Sequence, residues 1–523
     1  MFHNLWLRIK GVLARMGIIQ SIKQVADVNA LPVDDTEMER ISAWMSLYQG
    51  EPDWINEGWD DFENHHHTGR IMSMHMPKVS AKKMATLVFN QAATITAYES
   101  GKEPLPGKTT PDDDQNGPNQ MLQSIFERNH FTVNFERWLE YAFATGGIVA
   151  VEYVNNGEVK IRFATADAVI PLSQDANGIT ECVIASTKVV NGHHYTLLEW
   201  HQEDAKAYLI KNQLYKSTST DGSDLGTEVP LSEIYPNLKP KVRYLKGQYT
   251  RPTFQYLKPN IANNFSLDSP LGVPIYANAL DTLKMLDETY NSLMQEIVMG
   301  KRRIAVPDYM LQSGVNPKTG ERNWYVDWQE RVYVPLHVDR NGQGKQEVKD
   351  LTLPLRTDQL IATINSLLRI YAAQIGFSAG AFSFDGESIQ TATEVVSQNS
   401  ETYQTKNSHE TLVSRFIQDV ATSCLELAKN ATSVPYSDTA DVTINVNFDD
   451  SIAKDRDENA KYYQTLNGNK ALMPHLESIK RANSLDDKTA QQWLDQINDE
   501  EQPDADVDDL ISKNAGEDDA DAG

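Results

Sequence analysis

A long stretch of the chain contains neither proline nor glycine, and it constrains the fold more than any other feature. Residues 391–429 carry apolar residues at helical spacing, Val395 and Phe416 among them. Thr391 and Glu394 have the spacing of a capping box, which marks a helix start. We therefore predict one long helix here. A single helix cannot cover its own apolar face, so this helix requires neighbouring elements to pack against it.

Two further helices are predicted upstream, on either side of a small insert. Apolar residues recur at helical spacing along 274–299 and again along 357–375, where Gly376 provides a stop signal. If residues 274–299 are all helical, this helix is about 39 Å long. Residues 304–352 have the pattern of a small α/β insert, with strands such as RVYVPLHV. The predicted order is helix, insert, helix, loop and long helix.

The remaining elements predict an α+β chain, and 523 residues are enough for several subdomains. Residues 147–260 alternate apolar and polar positions, and the turns Asn155-Asn156-Gly157 and Asn191-Gly192 are typical of antiparallel hairpins. A strand is predicted over 441–448. Helices are predicted over residues 37–50, 76–98, 120–144 (ended by Gly146 and Gly147) and, as several short ones, 453–500.

The charge balance excludes one class of function. Lys and Arg number 48 and Asp and Glu 73, a formal net charge of −25. A protein that coats DNA needs net positive contacts to phosphate, so that role is disfavoured, whereas enclosing DNA without gripping it is compatible with this charge. Residues 499–523 hold eleven acidic residues and one lysine. We expect them to form a disordered acidic tail.

The two cysteines, Cys182 and Cys424, are too few for a disulfide framework and favour synthesis in a reducing cytoplasm. Basic residues interrupt the apolar residues of 1–20, so we expect an amphipathic helix there and not a signal peptide. No run of 18 or more apolar residues occurs, so no membrane span is expected.

The stretch GFSAG, Gly376 to Gly380, matches the nucleophile-elbow pattern G-x-S-x-G. An elbow needs a buried strand before the serine and a helix immediately after it. Here the preceding residues have helical period, and the next helix is predicted only from Thr391. A serine hydrolase that uses Ser378 is therefore disfavoured, and we predict no catalytic residues.

Other motifs also have simpler explanations than a binding site. Gly101 and Gly107 enclose five residues, whereas a phosphate-binding P-loop has four. The histidines 65–67 and the acidic run 449–458 lack the spacing of metal ligands, so no metal or other cofactor is predicted. Residues Lys301, Arg302 and Arg303 complement the C-terminal end of a helix or, alternatively, contact DNA phosphates.

Five segments in this order resemble the portal proteins of tailed bacteriophages, in particular the SPP1-like group of siphophages of Gram-positive bacteria. They are MPKVSAKKMATLVFNQ, YAFATGGIVAVEYVNNGEVKI, SPLGVPIYANALDTLKMLDETYNSLMQEIVMGKRRIAV, QIGFSAGAFSFDGESIQTATEVVSQNSETYQT and NVNFDDSIAKDRDENAKYYQTL.

The resemblance implies a dodecameric ring at one capsid vertex of the virion, made in the cytoplasm of the bacterial host, with no enzymatic activity. Double-stranded DNA would enter and leave through its channel. Implied partners are the terminase large subunit, the head–tail adaptor, and the major capsid and scaffolding proteins, without a membrane. A structural protein of the capsid or of the head–tail joint that forms no channel is the alternative.

The resemblance also implies a division of the chain. Its regions would be N-terminal helices and a β-rich wing (1–269), a first stem helix (270–299), a clip (300–352), a second stem helix (353–376), a tunnel loop (377–390), a long helix with the wing return strand (391–455), a helical crown (456–500) and an acidic tail (501–523).

The tunnel loop would line the channel. The residues implied there are Phe377, Ser378, Phe382, Ser383, Phe384, Asp385 and Glu387. The two acidic residues would repel DNA and let it slide, because many tight phosphate contacts would hold it. The phenylalanines at 382 and 384 would stiffen the loop or pack on the next subunit.

Overall fold

A computed structural model describes most of the chain. The described residues are 35–60, 65–90, 93–100, 117–219, 224–300, 304–307, 313–315, 322–324, 333–336, 349–350, 354–384, 400–430, 441–448, 463–466, 473–483 and 487–501. Helix and sheet are mixed along them, in agreement with the predicted α+β class.

The principal helices are α1 Asp35–Gln49, α2 Met76–Val88, α3 Pro118–Arg128, α4 Phe131–Thr145, α5 Leu280–Met299, α6 Thr357–Gln374, α7 Ser400–Asn430, α8 His475–Asn483 and α9 Asp487–Glu501. The strands are β1 Asn56–Asp60, β2 His66–Arg70, β3 Thr94–Glu99, β4 Ile148–Asn155, β5 Glu158–Thr165, β6 Val169–Asp175, β7 Gly178–Val190, β8 His193–Glu203, β9 Ala207–Lys216, β10 Thr227–Val229, β11 Lys241–Leu245, β12 Phe254–Leu257, β13 Ile304–Pro307, β14 Ser313–Val315, β15 Arg322–Trp324, β16 Tyr333–Leu336, β17 Lys349–Asp350 and β18 Val442–Asn447.

The antiparallel region predicted over 147–260 is confirmed. Strands β6 to β10 follow one another in a single sheet, with β11 also paired to β9, and a second sheet has the order β12-β4-β5. Both predicted hairpin turns have the left-handed backbone that type I′ turns require: φ is +50° at Asn156 and Asn191, and +79° and +77° at the glycines that follow them.

The helix predicted over 76–98 is too long. Helix α2 ends at Val88, and β3 follows, because the β-branched segment TITAYE pairs in antiparallel register with β18. The strand predicted over 441–448 is thereby confirmed as β18. Pairing between segments so far apart in one chain leaves no signal in the local sequence, so helical periodicity alone does not reveal β3.

The helix predicted over 120–144 is in fact two helices. The break lies at Asn129 and His130, where His130 has φ +48°. The Asn129 amide donates to the carbonyl oxygens of Ile125 at 2.8 Å and Val159 at 2.9 Å, and its Oδ1 accepts from the Ile161 N–H at 3.0 Å. Bonding to β5 on both sides of the amide explains why the chain interrupts the helix here.

The helix predicted from 274 begins six residues later. Residues 274–279 form tight turns instead, and the buried Tyr276 hydroxyl donates to the carbonyl oxygens of Ala144 at 2.6 Å and Trp44 at 3.0 Å. These bonds tie the start of α5 to α1 and α4. Helix α5 is consequently about 30 Å long, and it ends before Gly300 as predicted.

In the insert of residues 304–352, between α5 and α6, the residues that the structure describes all lie in strands. Strand β13 pairs parallel with β16 and antiparallel with β17, while β14 and β15 form a separate antiparallel pair. The predicted strand RVYVPLHV is confirmed as β16.

The predicted helix over 357–375 is confirmed as α6, and the long helix is confirmed from Ser400 onward as α7. At 31 residues, α7 is about 46 Å long. Its buried face includes Phe416, whose ring stacks on Phe135 of α4 with centroids 5.6 Å apart. One hydrophobic core joins residues from α1 to α7, so the long helix obtains the neighbours that its length requires.

Helices α8 and α9 agree with the short helices predicted towards the C-terminus. Among the helices described, none combines the length and apolar character needed to cross a membrane.

Candidate functional site

Helices α5 and α6 form an antiparallel hairpin, and the insert connects them at its tip. The Glu296 carboxylate, near the end of α5, accepts from the Arg356 backbone N–H at 3.1 Å and its guanidinium at 2.8 Å. A Cβ at Gly300 would lie 1.9 Å from a Leu355 methyl group, so the two chain segments touch where they meet the insert. The insert thus begins and ends at adjacent points.

The hairpin is attached to the N-terminal part of the chain through a buried carboxylate. Asp287 of α5 accepts from the Trp54 indole N–H at 3.1 Å and the Met74 backbone N–H at 2.9 Å. Burial raises the pKa of the Asp287 carboxyl, and these two bonds oppose that rise by favouring the charged form. These bonds help to hold α5 against the segment from Trp54 to Met74.

Gly376 ends α6, as predicted from the sequence. Its φ is +77°, and the Phe377 N–H bonds to the Ala372 carbonyl oxygen at 2.8 Å, the pattern of a Schellman cap. A Cβ at Gly376 would also lie 2.7 Å from Thr405 Oγ1 of α7. Glycine is therefore needed here both for backbone conformation and for the close approach of α7.

Ser378 is 3% exposed and bonded to α7. Its backbone N–H donates to Thr402 Oγ1 at 2.8 Å, and the two hydroxyl oxygens are 3.0 Å apart. A helix precedes it where a nucleophile elbow needs a strand. The hydroxyl is thus occupied by a structural contact, and the geometry gives no support to a hydrolase.

The segment after Ser378 divides into a buried part and an exposed part. Phe377 is 0% and Phe382 9% exposed, with ring centroids 5.3 Å apart, whereas Ser383 is exposed and Phe384 is 40% exposed. The side chains of Phe377, Ser378 and Phe382 pack against α2, α6 and α7 within this chain, which favours a packing role for them over the predicted exposure to a channel.

Lys83 of α2 holds the buried part in place. Its ammonium donates to the Ala381 carbonyl oxygen at 2.6 Å and lies 4.9 Å from the centroid of the Phe382 ring. Burial lowers the pKa of Lys83. Neither Lys83 nor Thr402 could be recognised from the sequence, because a lysine and a threonine on helix faces give no spacing signal.

The exposed part contacts both helices of the hairpin. The Phe384 backbone N–H donates to Asn365 Oδ1 of α6 at 2.9 Å, and the Phe384 ring meets Tyr290 of α5 edge-on at 6.3 Å. These contacts place Ser383 and Phe384 on the outer surface of the hairpin.

Several predictions fall outside the described residues. They concern Asp385, Glu387, Thr391 and Glu394; the basic residues Lys301, Arg302 and Arg303; the N-terminal segment 1–20; the glycine-containing loop 101–110; the acidic run 449–458; and the tail from 502.

The histidines at 65–67, expected in an exposed turn, include two residues of strand β2. Successive side chains of a strand point to opposite faces, and His66 Nδ1 lies 2.9 Å from Asp60 Oδ1. Over the described ranges, no group of three His, Cys, Asp or Glu residues is placed to hold a metal ion. Cys182 and Cys424 are free thiols, both buried.

A buried acid with no signal in the sequence lies where β4 meets α7. Glu152 is 0% exposed, and its Oε2 accepts from Ser423 Oγ at 3.0 Å. Its Oε1 has no hydrogen-bond partner among the described residues. Burial raises the pKa of this carboxyl well above its ordinary value of 4.5. The neutral acid is therefore the form that this interface favours.

We expect Glu152→Gln to stabilise the protein at neutral pH and to flatten its pH dependence. Above pH 4.5 the unfolded chain releases the Glu152 proton while the folded chain retains it, so stability falls as the pH rises towards the folded pKa. The amide cannot ionise, so the variant is expected to gain about 1.4 kcal/mol over the wild type for each pH unit above 4.5 until the folded pKa is reached.

Thermal melting from mildly acidic to mildly alkaline pH measures this effect. Glu158→Gln on the neighbouring strand is the control, because Lys160 lowers the pKa of that exposed carboxyl and no gain is expected. An unchanged pH slope in Glu152→Gln would contradict the burial argument.

Comparison with known proteins identifies the family. A search of curated proteins gives no match. Residues 30–503 match the family model described as phage portal protein, SPP1 Gp6-like. This span contains the α5–insert–α6 hairpin, the segment after Gly376 and α7, and it confirms the resemblance seen in the sequence. The chain therefore belongs to the SPP1 Gp6-like family of phage portal proteins.

Proposed function

We propose that the chain assembles into a dodecameric ring at one capsid vertex and encloses the channel through which DNA enters and leaves the phage head. The observation that carries this proposal is the α5–insert–α6 hairpin followed by the segment after Gly376 and by α7, inside a span that matches the portal family. Repeated around an axis, such hairpins supply the two complementary faces that a closed ring requires.

In this assembly α5 and α6 are the stem, and residues 300–352 are the clip that meets terminase and later the head–tail adaptor. The wing comprises the β-rich part of 1–269 with the strand from 441, and residues 456–500 form the crown, near the capsid and scaffolding proteins. The contact between Glu296 and Arg356 supports this division, because it holds the two ends of the insert together at the tip of the hairpin.

We place Ser383 and Phe384, with Asp385 and Glu387 after them, nearest the channel. Support comes from the exposure of the first two side chains on the hairpin surface. Acidic residues there would repel the DNA backbone, and the net charge of −25 agrees with a channel that does not grip its cargo. Lys301, Arg302 and Arg303 stay candidates for transient phosphate contacts at the clip.

Electron microscopy of the purified protein at several salt concentrations tests the assembly. We expect closed rings with one open channel. Monomers at every salt concentration would refute the ring, and a ring without a through-channel would favour the alternative role in a capsid or head–tail joint.

A further inference from the structure

The two chain segments on either side of residues 379–401 are joined by buried hydrogen bonds. Besides the bond from the Ser378 N–H to Thr402 Oγ1, the Thr402 backbone N–H donates to Ser378 Oγ at 3.3 Å. The side chains are 3% and 7% exposed. The backbone N–H and the hydroxyl group of each residue are thus hydrogen-bonded to the other residue. Water does not compete for these buried groups.

Two further contacts, from α7 and from α2, hold the chain just after α6. Thr405, on the same face of α7 as Thr402, fills the space beside Gly376. Lys83 of α2 donates to the Ala381 carbonyl oxygen. The chain that leaves α6 is therefore held by both α7 and α2.

We propose that Ser378 and Thr402 form a clasp that sets where the chain leaves α6 and enters α7, and that this clasp positions the channel-facing residues during DNA translocation. The second half of the statement rests on the proposed function. Bringing the two ends of a long segment together restricts the positions that the segment can reach. Ser378, which the sequence suggested first as a nucleophile and then as a channel residue, is on this account a positioning residue.

Thr402→Val is the most informative variant, because it keeps the shape of the side chain and leaves the Ser378 N–H without its acceptor. Ser378→Ala removes the other hydroxyl and serves if the first variant fails to fold. Thr402→Ser restores a hydroxyl. Ser423→Ala is the matched control, since it removes another buried hydroxyl contact of α7, to Glu152, away from the clasp.

The first readout is hydrogen exchange of the backbone amides from Phe377 to Phe384 in the full chain. We expect about tenfold faster exchange in Thr402→Val and Ser378→Ala, and unchanged exchange in Thr402→Ser and Ser423→Ala. Equal exchange in Thr402→Val and Ser423→Ala would overturn the clasp, whether or not the chain forms a channel.

The second readout is the number of DNA-filled heads per assembled ring when each variant complements a phage that lacks its portal. We expect about a tenfold loss for Thr402→Val and Ser378→Ala, and recovery in Thr402→Ser. Loss of the same size in Ser423→Ala, or no loss in Thr402→Val, would refute the positioning role. A wild-type chain that fails to complement would refute the proposed function, and with it this role, while the exchange result would still decide whether the clasp exists.

Discussion

Gly146→Ala is expected to prevent folding or to destabilise the chain by about 4 kcal/mol or more, the range in which a core backbone clash falls. Gly146 has φ +92°, and its ideal Cβ would lie 2.5 Å from the Gly272 carbonyl oxygen. A Cβ at Gly272 would in turn lie 2.3 Å from the Gly146 carbonyl oxygen. Both obstacles are backbone atoms, so no side-chain rotation can relieve them.

This close approach joins α4 and β4 to the segment that leads into α5. A clash there therefore disturbs the point where the α5–α6 hairpin meets the rest of the chain. Soluble yield and the midpoint of thermal unfolding measure the effect. Gly178→Ala is the control, because its φ of +134° is also positive but nothing lies within 4 Å of its Cβ. Similar losses for both variants would show that backbone conformation alone, and not contact with Gly272, explains the glycine.

Phe377→Ala is expected to reduce the free energy of unfolding by about 3–5 kcal/mol, as for other buried aromatic residues. Phe377 is 0% exposed, its ring packs on Phe382, and Lys83 lies 5.9 Å from its centroid. Helices α2, α6 and α7 would enclose the cavity left behind, and the loss is larger the less these helices close it. Chemical denaturation midpoints measure the loss.

Phe384→Ala is the matched variant, only seven positions away. Phe384 is 40% exposed, and we expect a loss of about 1 kcal/mol or less. This contrast tests the division of the segment into a buried and an exposed part. Equal losses for the two phenylalanines would contradict that division.

Much of the fold could be predicted from local pattern. Helices α6 and α7 have 3.6-residue periodicity, Gly376 gives α6 a stop signal, and the hairpin turns at Asn156 and Asn191 need residues that tolerate positive φ. These features depend on nearby residues alone, so one sequence is enough to find them.

The predicted element bounds were wrong where contacts between residues far apart in the chain determine the local structure. Strand β3 exists because β18 pairs with it across more than three hundred residues, and the break before α4 exists because Asn129 bonds to β5. Tyr276 delays the start of α5 through bonds to α1 and α4. Periodicity within one segment contains no trace of such partners.

The sequence predicted one loop between Gly376 and Thr391, but it could not separate the buried Phe377, Ser378 and Phe382 from the exposed Ser383 and Phe384. That separation depends on Lys83 and Thr402, which approach from two other helices.

A three-dimensional reconstruction of the assembled particle tests whether this chain encloses a DNA channel. We expect a closed ring in which the α5–α6 hairpins surround a channel wide enough for duplex DNA, with Ser383 and Phe384 closer to the axis than Phe377. A ring whose centre is blocked by folded protein, or one whose hairpins lie on the outer rim, would contradict it.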